Sequence, residues 1–238
     1  MNTRAVILNV PFDGHTPKTA INTLLSFLKS SRNHLVVTPN PEAVMLAQRN
    51  GNFMRIIQNA DLVLADGIGI ILAAKFRKLP IPTRVTGVDT TLSLLKAASA
   101  SGYSCYLLGA APGVAEKARY NLQQQGIIVL GAHNGFFNKD SEKEIIDEIN
   151  SLKPDILLVG MGMPRQEEWA AGNLHKLPCK ITICIGGGID IFAENIRRAP
   201  KILRFFGLEW LYRLITDPSR GRRMLDLPRF VWAVIRDY

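Results

Sequence analysis

Cysteine is scarce in this chain of 238 residues. Cys105, Cys179 and Cys184 are an odd number with no C-x-x-C pair. That excludes a disulfide framework. Each lies in or beside an apolar run, which predicts buried thiols in a reducing compartment. Long hydrophobic runs are missing too: no uninterrupted apolar stretch approaches the ~20 residues a spanning helix requires. The opening MNTRAVILNVPFDGHT has too short an apolar core for a signal peptide, so a cytosolic protein is expected. The four histidines, His15, His34, His133 and His175, are far apart and show no metal-ligand spacing. No two aspartates are separated by one residue, which removes the D-x-D pattern that pairs a metal with a diphosphate. The G-x-x-x-x-G-K-[ST] phosphate loop, the G-x-S-x-G nucleophile elbow and G-x-G-x-x-G are likewise absent. There is no internal repeat and no low-complexity segment. With 47% hydrophobic and 21% charged residues the balance is that of a globular protein.

A net charge of +9 predicts an anionic partner: a phosphate-bearing substrate, a nucleic acid or a lipid surface. Short apolar runs alternate with helical patterns along most of the chain. Strands are predicted at 5–10, 34–39, 61–66, 104–110, 127–132, 155–162 and 180–187. Helices are predicted near 17–30, 41–59, 88–100, 113–125, 141–151 and 164–174. The strands are continuously apolar rather than alternating, which implies a mostly parallel sheet covered by helices on both faces, an α/β fold of Rossmann-like character. After Glu194 the composition changes to helical spacing, clustered arginines and large apolar residues. The expected organisation is therefore an α/β body over 1–195 and a basic helical appendage over 196–238.

In open parallel sheets ligands bind outside the carboxyl ends of the strands, and the informative residues of this sequence cluster there. Thr38 and Asn40 end the second strand. Asn40 has two readings, an N-cap for the helix opened by Pro41 and a site residue. Asp66 ends the third strand, where it is either the N-cap of a helix from Ile68 or a functional acid. Gly109 and Gly113 lie between a strand and a helix, which suits backbone approach to a phosphate. GMGMPRQEEW offers Gly160, Gly162, Arg165 and Gln166, and CIGGGIDIF places three glycines before Asp190. The strand IIVLGA leads to His133 and Asn134, not to the acid that holds a ribose in NAD enzymes. A metal-free group transfer at an anion-binding cleft is the chemistry these features leave.

TPNPEAV, ADGIGI, RVTGVD, GMGMPRQEEW, GGGIDIFA, RRAP and LEWLYRL…DPSRGRR stand in the order expected of the WecG/TagA/CpsF glycosyltransferase family, which the chain resembles over essentially its whole length. The resemblance implies inverting, metal-independent transfer of N-acetylmannosamine from a UDP-sugar donor to an undecaprenyl-diphosphate-linked N-acetylglucosamine acceptor, with no cofactor. Another UDP-sugar, carrying N-acetylmannosaminuronic acid or glucose, is the alternative donor. Carried over onto this chain, Asp66 at the ADG position becomes the base, with Thr38 and Asn40 orienting donor sugar or acceptor. Arg84, Gln166 and Asp190 would hold UDP with backbone groups around Gly109 and Gly187. Arg213, Arg220 and Arg223 of the tail would meet the leaving diphosphate where no metal does. One position departs from the pattern: Glu194 stands where glycine is expected.

The tail has two readings. Phe205, Phe206, Leu208, Trp210, Leu211, Leu214 and Ile215 either pack on the body or form a surface for lipid. Aromatic and aliphatic residues interleaved with arginine suit an interfacial helix, which would place the enzyme peripherally on the inner face of the membrane. A homo-oligomer burying part of this apolar tail is compatible with the sequence. Two other classes are disfavoured. A dinucleotide-dependent oxidoreductase lacks its phosphate fingerprint and its ribose acid. A nucleic-acid-binding protein would carry its arginines on a solvated stripe rather than in an apolar tail.

Overall fold

A computed structural model describes residues 4–196, 198–200, 202–203, 207–216 and 221–237, without the side chains of residues 213, 222 and 223. The core is a six-stranded parallel sheet built from β3 (His34–Val37), β4 (Leu62–Val63), β5 (Cys105–Gly109), β6 (Val129–His133), β7 (Ile156–Gly160) and β8 (Ile181–Cys184), in the order β4-β3-β8-β7-β5-β6. Helices α1 (Pro17–Phe27), α5 (Gly87–Ser99), α6 (Val114–Gln123) and α9 (Gly188–Phe192) cover one face. Helices α2 (Pro41–Arg49), α3 (Gly51–Asn59), α4 (Ile68–Phe76), α7 (Lys139–Leu152) and α8 (Arg165–Asn173) cover the other. The period of two along each strand divides the apolar residues between two cores. In β7, Leu157 and Val159 join the α2–α3–α8 layer, while Ile156 and Leu158 join the α1–α5–α6 layer. That double burial is why these strands read as unbroken apolar runs.

Two predicted elements are divided. The run 5–10 is not one strand but a hairpin of β1 (Ala5–Ile7) and β2 (Val10–Phe12). Leu8 and Asn9 both take positive φ, 49° and 61°, which matches a two-residue turn twisted in the sense that antiparallel strands need. The turn puts Asp13 against β4, where its backbone N–H donates to the Val63 carbonyl and its carboxylate accepts the Val63 N–H at 2.8 Å, covering a sheet edge. The predicted helix 41–59 breaks at Asn50. This residue is extended and its side chain caps α3 by accepting the Phe53 N–H at 3.0 Å.

All three cysteines are free and buried, and burial pushes the Cys105 and Cys179 thiols up to about 12. Glu194, the departure from the family pattern, adopts φ 56°, a left-handed conformation that glycine takes without strain.

Beyond residue 195 the described chain includes α10 (Glu209–Thr216), α11 (Gly221–Met224) and α12 (Asp226–Arg236). Helix α12 lies on α2 and α4, and its Phe230 and Val234 are buried in the same core as those helices. Arginine–aspartate pairs fasten both its ends. Arg49 of α2 donates bidentately to Asp226 at 3.0 and 2.8 Å, which holds the Asp226 carboxyl below the usual carboxylate range, and Arg77 reaches Asp237 at 2.6 Å.

Candidate active site

The carboxyl ends of β3, β4, β5, β7 and β8 open into one cleft of about 490 Å³, a volume typical of small-molecule sites. At the end of β3, Thr38 donates its hydroxyl toward the Cys184 carbonyl of neighbouring β8 at 3.5 Å. Asn40 is an N-cap and a lining residue at once: its side-chain oxygen accepts the Ala43 N–H at 2.9 Å, leaving the amide NH₂ as the group that can meet a ligand.

Asp66 is not the cap of the helix that follows. Gly67 fills that position at φ 96°, with no side-chain cap bond. The Asp66 carboxylate turns instead to the start of α5, where it accepts the Gly87 N–H at 3.2 Å. This contact fixes an acid at the mouth of the cleft through a strand end and a helix N-terminus distant in sequence. Nearby, Thr86 donates to Asp89 at 2.6 Å, and Asp89 receives both terminal nitrogens of Arg198. Arg198 lines the cleft. The Asp89 bonds first, and the negative charges of Glu209 and Asp66 after them, hold it firmly protonated. Its buried Nε has no hydrogen-bond partner among the described residues.

The third wall is the β7–α8 loop against the β8–α9 glycines. Gln166 is buried and accepts the Gly186 N–H at 3.0 Å. Gly187 and Asp190 stand beside it on the lining. Gly109 is set one residue back. Its φ is 149°, and a side chain there would meet the Gly160 carbonyl oxygen at 2.3 Å. Strand-to-strand approach therefore requires that glycine, and it is Ala110 and Ala111 that line the cleft.

Seven of the predicted site residues, Thr38, Asn40, Asp66, Arg84, Gln166, Gly187 and Asp190, thus line one cavity although they span 153 positions of sequence (190 − 38 + 1). Of the tail arginines, Arg220 and the side chains of Arg213 and Arg223 lie outside the described residues, as do Phe205 and Phe206. Arg198 and Glu209, which the sequence did not single out, also line the cleft, as does Trp210, which it offered only for packing or for lipid. The RRAP and LEW motifs containing them were the available signal. Among the described residues, no group of three or more His, Cys, Asp or Glu is placed to hold a metal ion.

Comparison with known proteins shows the family to which this cleft belongs. The model of the glycosyl transferase WecG/TagA/CpsF family matches residues 5–238. The chain belongs to this family. It is 34% identical to the N-acetylglucosaminyldiphosphoundecaprenol N-acetyl-β-D-mannosaminyltransferase of Staphylococcus aureus, over 97% of this chain and 91% of that protein. A Bacillus spizizenii protein of the same name is 34% identical over 89% of this chain and 82% of its own length. Membership in the WecG/TagA/CpsF family makes the cleft a candidate glycosyl-transfer site, and the geometry assigns what each wall can do. Asp66 can accept a proton. Arg84, Arg165 and Arg198 are the lining arginines among the described residues and can meet phosphate oxygens, and the glycine loops let a ligand approach the backbone.

Proposed function

We propose that this protein transfers N-acetylmannosamine from UDP-N-acetylmannosamine to undecaprenyl-diphosphate-linked N-acetylglucosamine, with inversion and without a metal, in wall teichoic acid synthesis. The observation that carries this reading is Asp66, fixed by the Gly87 N–H in the same cleft as Thr38, Asn40, Arg84, Gln166 and Asp190. The names of the relatives support the choice of sugar and acceptor.

In the reaction the acceptor hydroxyl oxygen attacks the anomeric carbon from the face opposite UDP. The new C–O bond forms as the bond to the β-phosphate oxygen breaks, and Asp66 takes the hydroxyl proton. Inversion follows from that single displacement. Thr38 and the Asn40 NH₂ orient the reacting sugars. Gln166, Asp190 and the backbone at Gly187 hold the nucleotide. The departing diphosphate needs its growing negative charge met. Arg84 and Arg198 supply part of this, and Arg213, Arg220 and Arg223 of the tail supply the rest.

The body of residues 1–195 carries the donor site, and residues 196–238 form an appendage that completes it at the cytoplasmic membrane face. No helix among the described residues is long and apolar enough to cross a membrane. What supports surface contact is α12. With Phe230 and Val234 turned inward, Val231, Trp232 and Ile235 remain exposed, and Arg236 lies over the Trp232 ring at 5.2 Å. Leu72 and Phe76 of adjacent α4 are exposed as well. Large apolar side chains bordered by arginine are what an interfacial helix presents to anionic lipid.

The test is UDP release with a lipid-diphosphate N-acetylglucosamine acceptor over a panel of UDP-sugars, with and without EDTA. Turnover is expected with UDP-N-acetylmannosamine and unchanged by the chelator. Preference for the N-acetylmannosaminuronic acid or glucose donor would correct the sugar. Loss in EDTA restored by magnesium would overturn the metal-free chemistry.

A further inference from the structure

Glu167 follows Gln166 in the first turn of α8 and is 4% exposed. Burying an ionisable group without a cation is costly, and among the described residues no cation pairs with this one. Its Oε1 accepts the Gln166 Nε2–H at 2.6 Å, and its Oε2 has no hydrogen-bond partner among the described residues. A Met or Leu would fill the space at lower cost. The carboxylate therefore serves something other than packing.

The Gly186 amide fixes which way the Gln166 side chain is turned. A backbone N–H can only donate, so the Gln166 oxygen must face Gly186 and its nitrogen must face Glu167. We propose that Glu167 is a positioning residue for Gln166. Held at both ends, the amide bridges the carboxyl ends of β7 and β8 and keeps its second Nε2 hydrogen for the donor nucleotide. Without the acceptor on Glu167, the amide torsion, which is broad in glutamine, is restrained at its oxygen alone. This inference rests on the reading that the cleft binds a UDP-sugar.

The experiment measures UDP affinity by calorimetry and the kcat and KM for UDP-N-acetylmannosamine. The proteins compared are the wild type, Gln166→Ala, Glu167→Met, Glu167→Gln and the Gln166→Ala/Glu167→Met double variant. Glu167→Met and Gln166→Ala should each weaken UDP about tenfold, the scale of one well-made hydrogen bond. The double variant should be no weaker than Gln166→Ala alone, because both changes remove the same contact. Glu167→Gln keeps an acceptor oxygen and should restore binding, with KM moving more than kcat across the series. Wild-type affinity in Glu167→Met, or a loss that adds in full to that of Gln166→Ala, would overturn the inference. Should Glu167→Met not fold, Glu167→Ala takes its place. A wild-type protein that does not bind UDP would sink the functional reading instead. In that event the ¹⁵N spectrum still tests the bridge: the two Gln166 Nε2 protons should resonate far apart in the wild type and converge in Glu167→Met, and unchanged resonances would refute it.

Discussion

Replacing Asp66 by asparagine separates its chemical role from its structural one. Gly87 is buried, and its N–H donates to Asp66 Oδ2 at 3.2 Å. Asparagine keeps a side-chain oxygen at that distance, so the start of α5 stays satisfied, and the stability loss should be confined to about 1 kcal/mol for exchanging a charged acceptor for a neutral one. Alanine is a poorer probe, because an orphaned buried N–H costs about 1–3 kcal/mol by itself. What asparagine cannot do is take the acceptor's proton. Loss of a general base lowers the rate by ~10²–10⁴, equivalent to about 3–5 kcal/mol of barrier. The assay is UDP release at saturating donor and acceptor, alongside UDP affinity and a thermal melt. The expected result is kcat down by at least about a hundredfold, with UDP affinity and melting temperature near wild type. Wild-type-like turnover by folded Asp66→Asn would refute the assignment. Loss of both activity and UDP binding would mean that the carboxylate shapes the site rather than acting in the reaction.

Three further outcomes are expected. Truncation after Asn195 should leave a folded body, because the strand–helix alternation is complete there, but its melting temperature should fall. Phe230 and Val234 leave the core beside α2 and α4, roughly 3–6 kcal/mol of burial, and transfer should collapse with the loss of Arg198, Glu209 and Trp210 from the cleft wall. Glu194→Gly should raise stability by up to about 1 kcal/mol, read as a rise of a few degrees in Tm, since it relieves a left-handed residue while loosening the unfolded chain. Burial pushes the Glu167 carboxyl up to about 7 from its ordinary 4.5, against the Gln166 hydrogen bond, with Glu168 adding to the rise. The stability it contributes is therefore full below about pH 4.5 and lost as pH climbs through 7, about 3 kcal/mol in all. The Tm of Glu167→Gln should accordingly gain on the wild type between pH 5 and pH 8, and a constant gap would show that the carboxyl titrates normally.

Most of the architecture was legible because its physics is local. A strand buried on both faces must be apolar throughout, and such runs alternating with amphipathic helices admit few arrangements besides a covered parallel sheet. The sequence also placed its polar residues at strand ends, so Thr38, Asn40, Asp66, Gln166 and Asp190 could be picked out one by one. Where local reading failed, the deciding groups were backbone conformations that several residue types tolerate. Leu8 and Asn9 carry no glycine to announce a hairpin, and Asn50 breaks a helix by capping the next one.

Contacts between distant segments belong to tertiary structure alone. No spacing rule links Asp66 to Gly87, Arg198 to Asp89, or Gln166 to Gly186, because each pair depends on how the sheet orders its strands. The same holds for Gly109, which sequence offers as a ligand-facing glycine and the fold uses to let β5 pass close to β7. The amino-acid sequence alone determined which polar and glycine residues follow the carboxyl ends of the strands. Which of them share a cleft, and which hydrogen bond holds each in place, was decided only when the chain packed, since a side chain's partners are set by distances that the linear order does not contain.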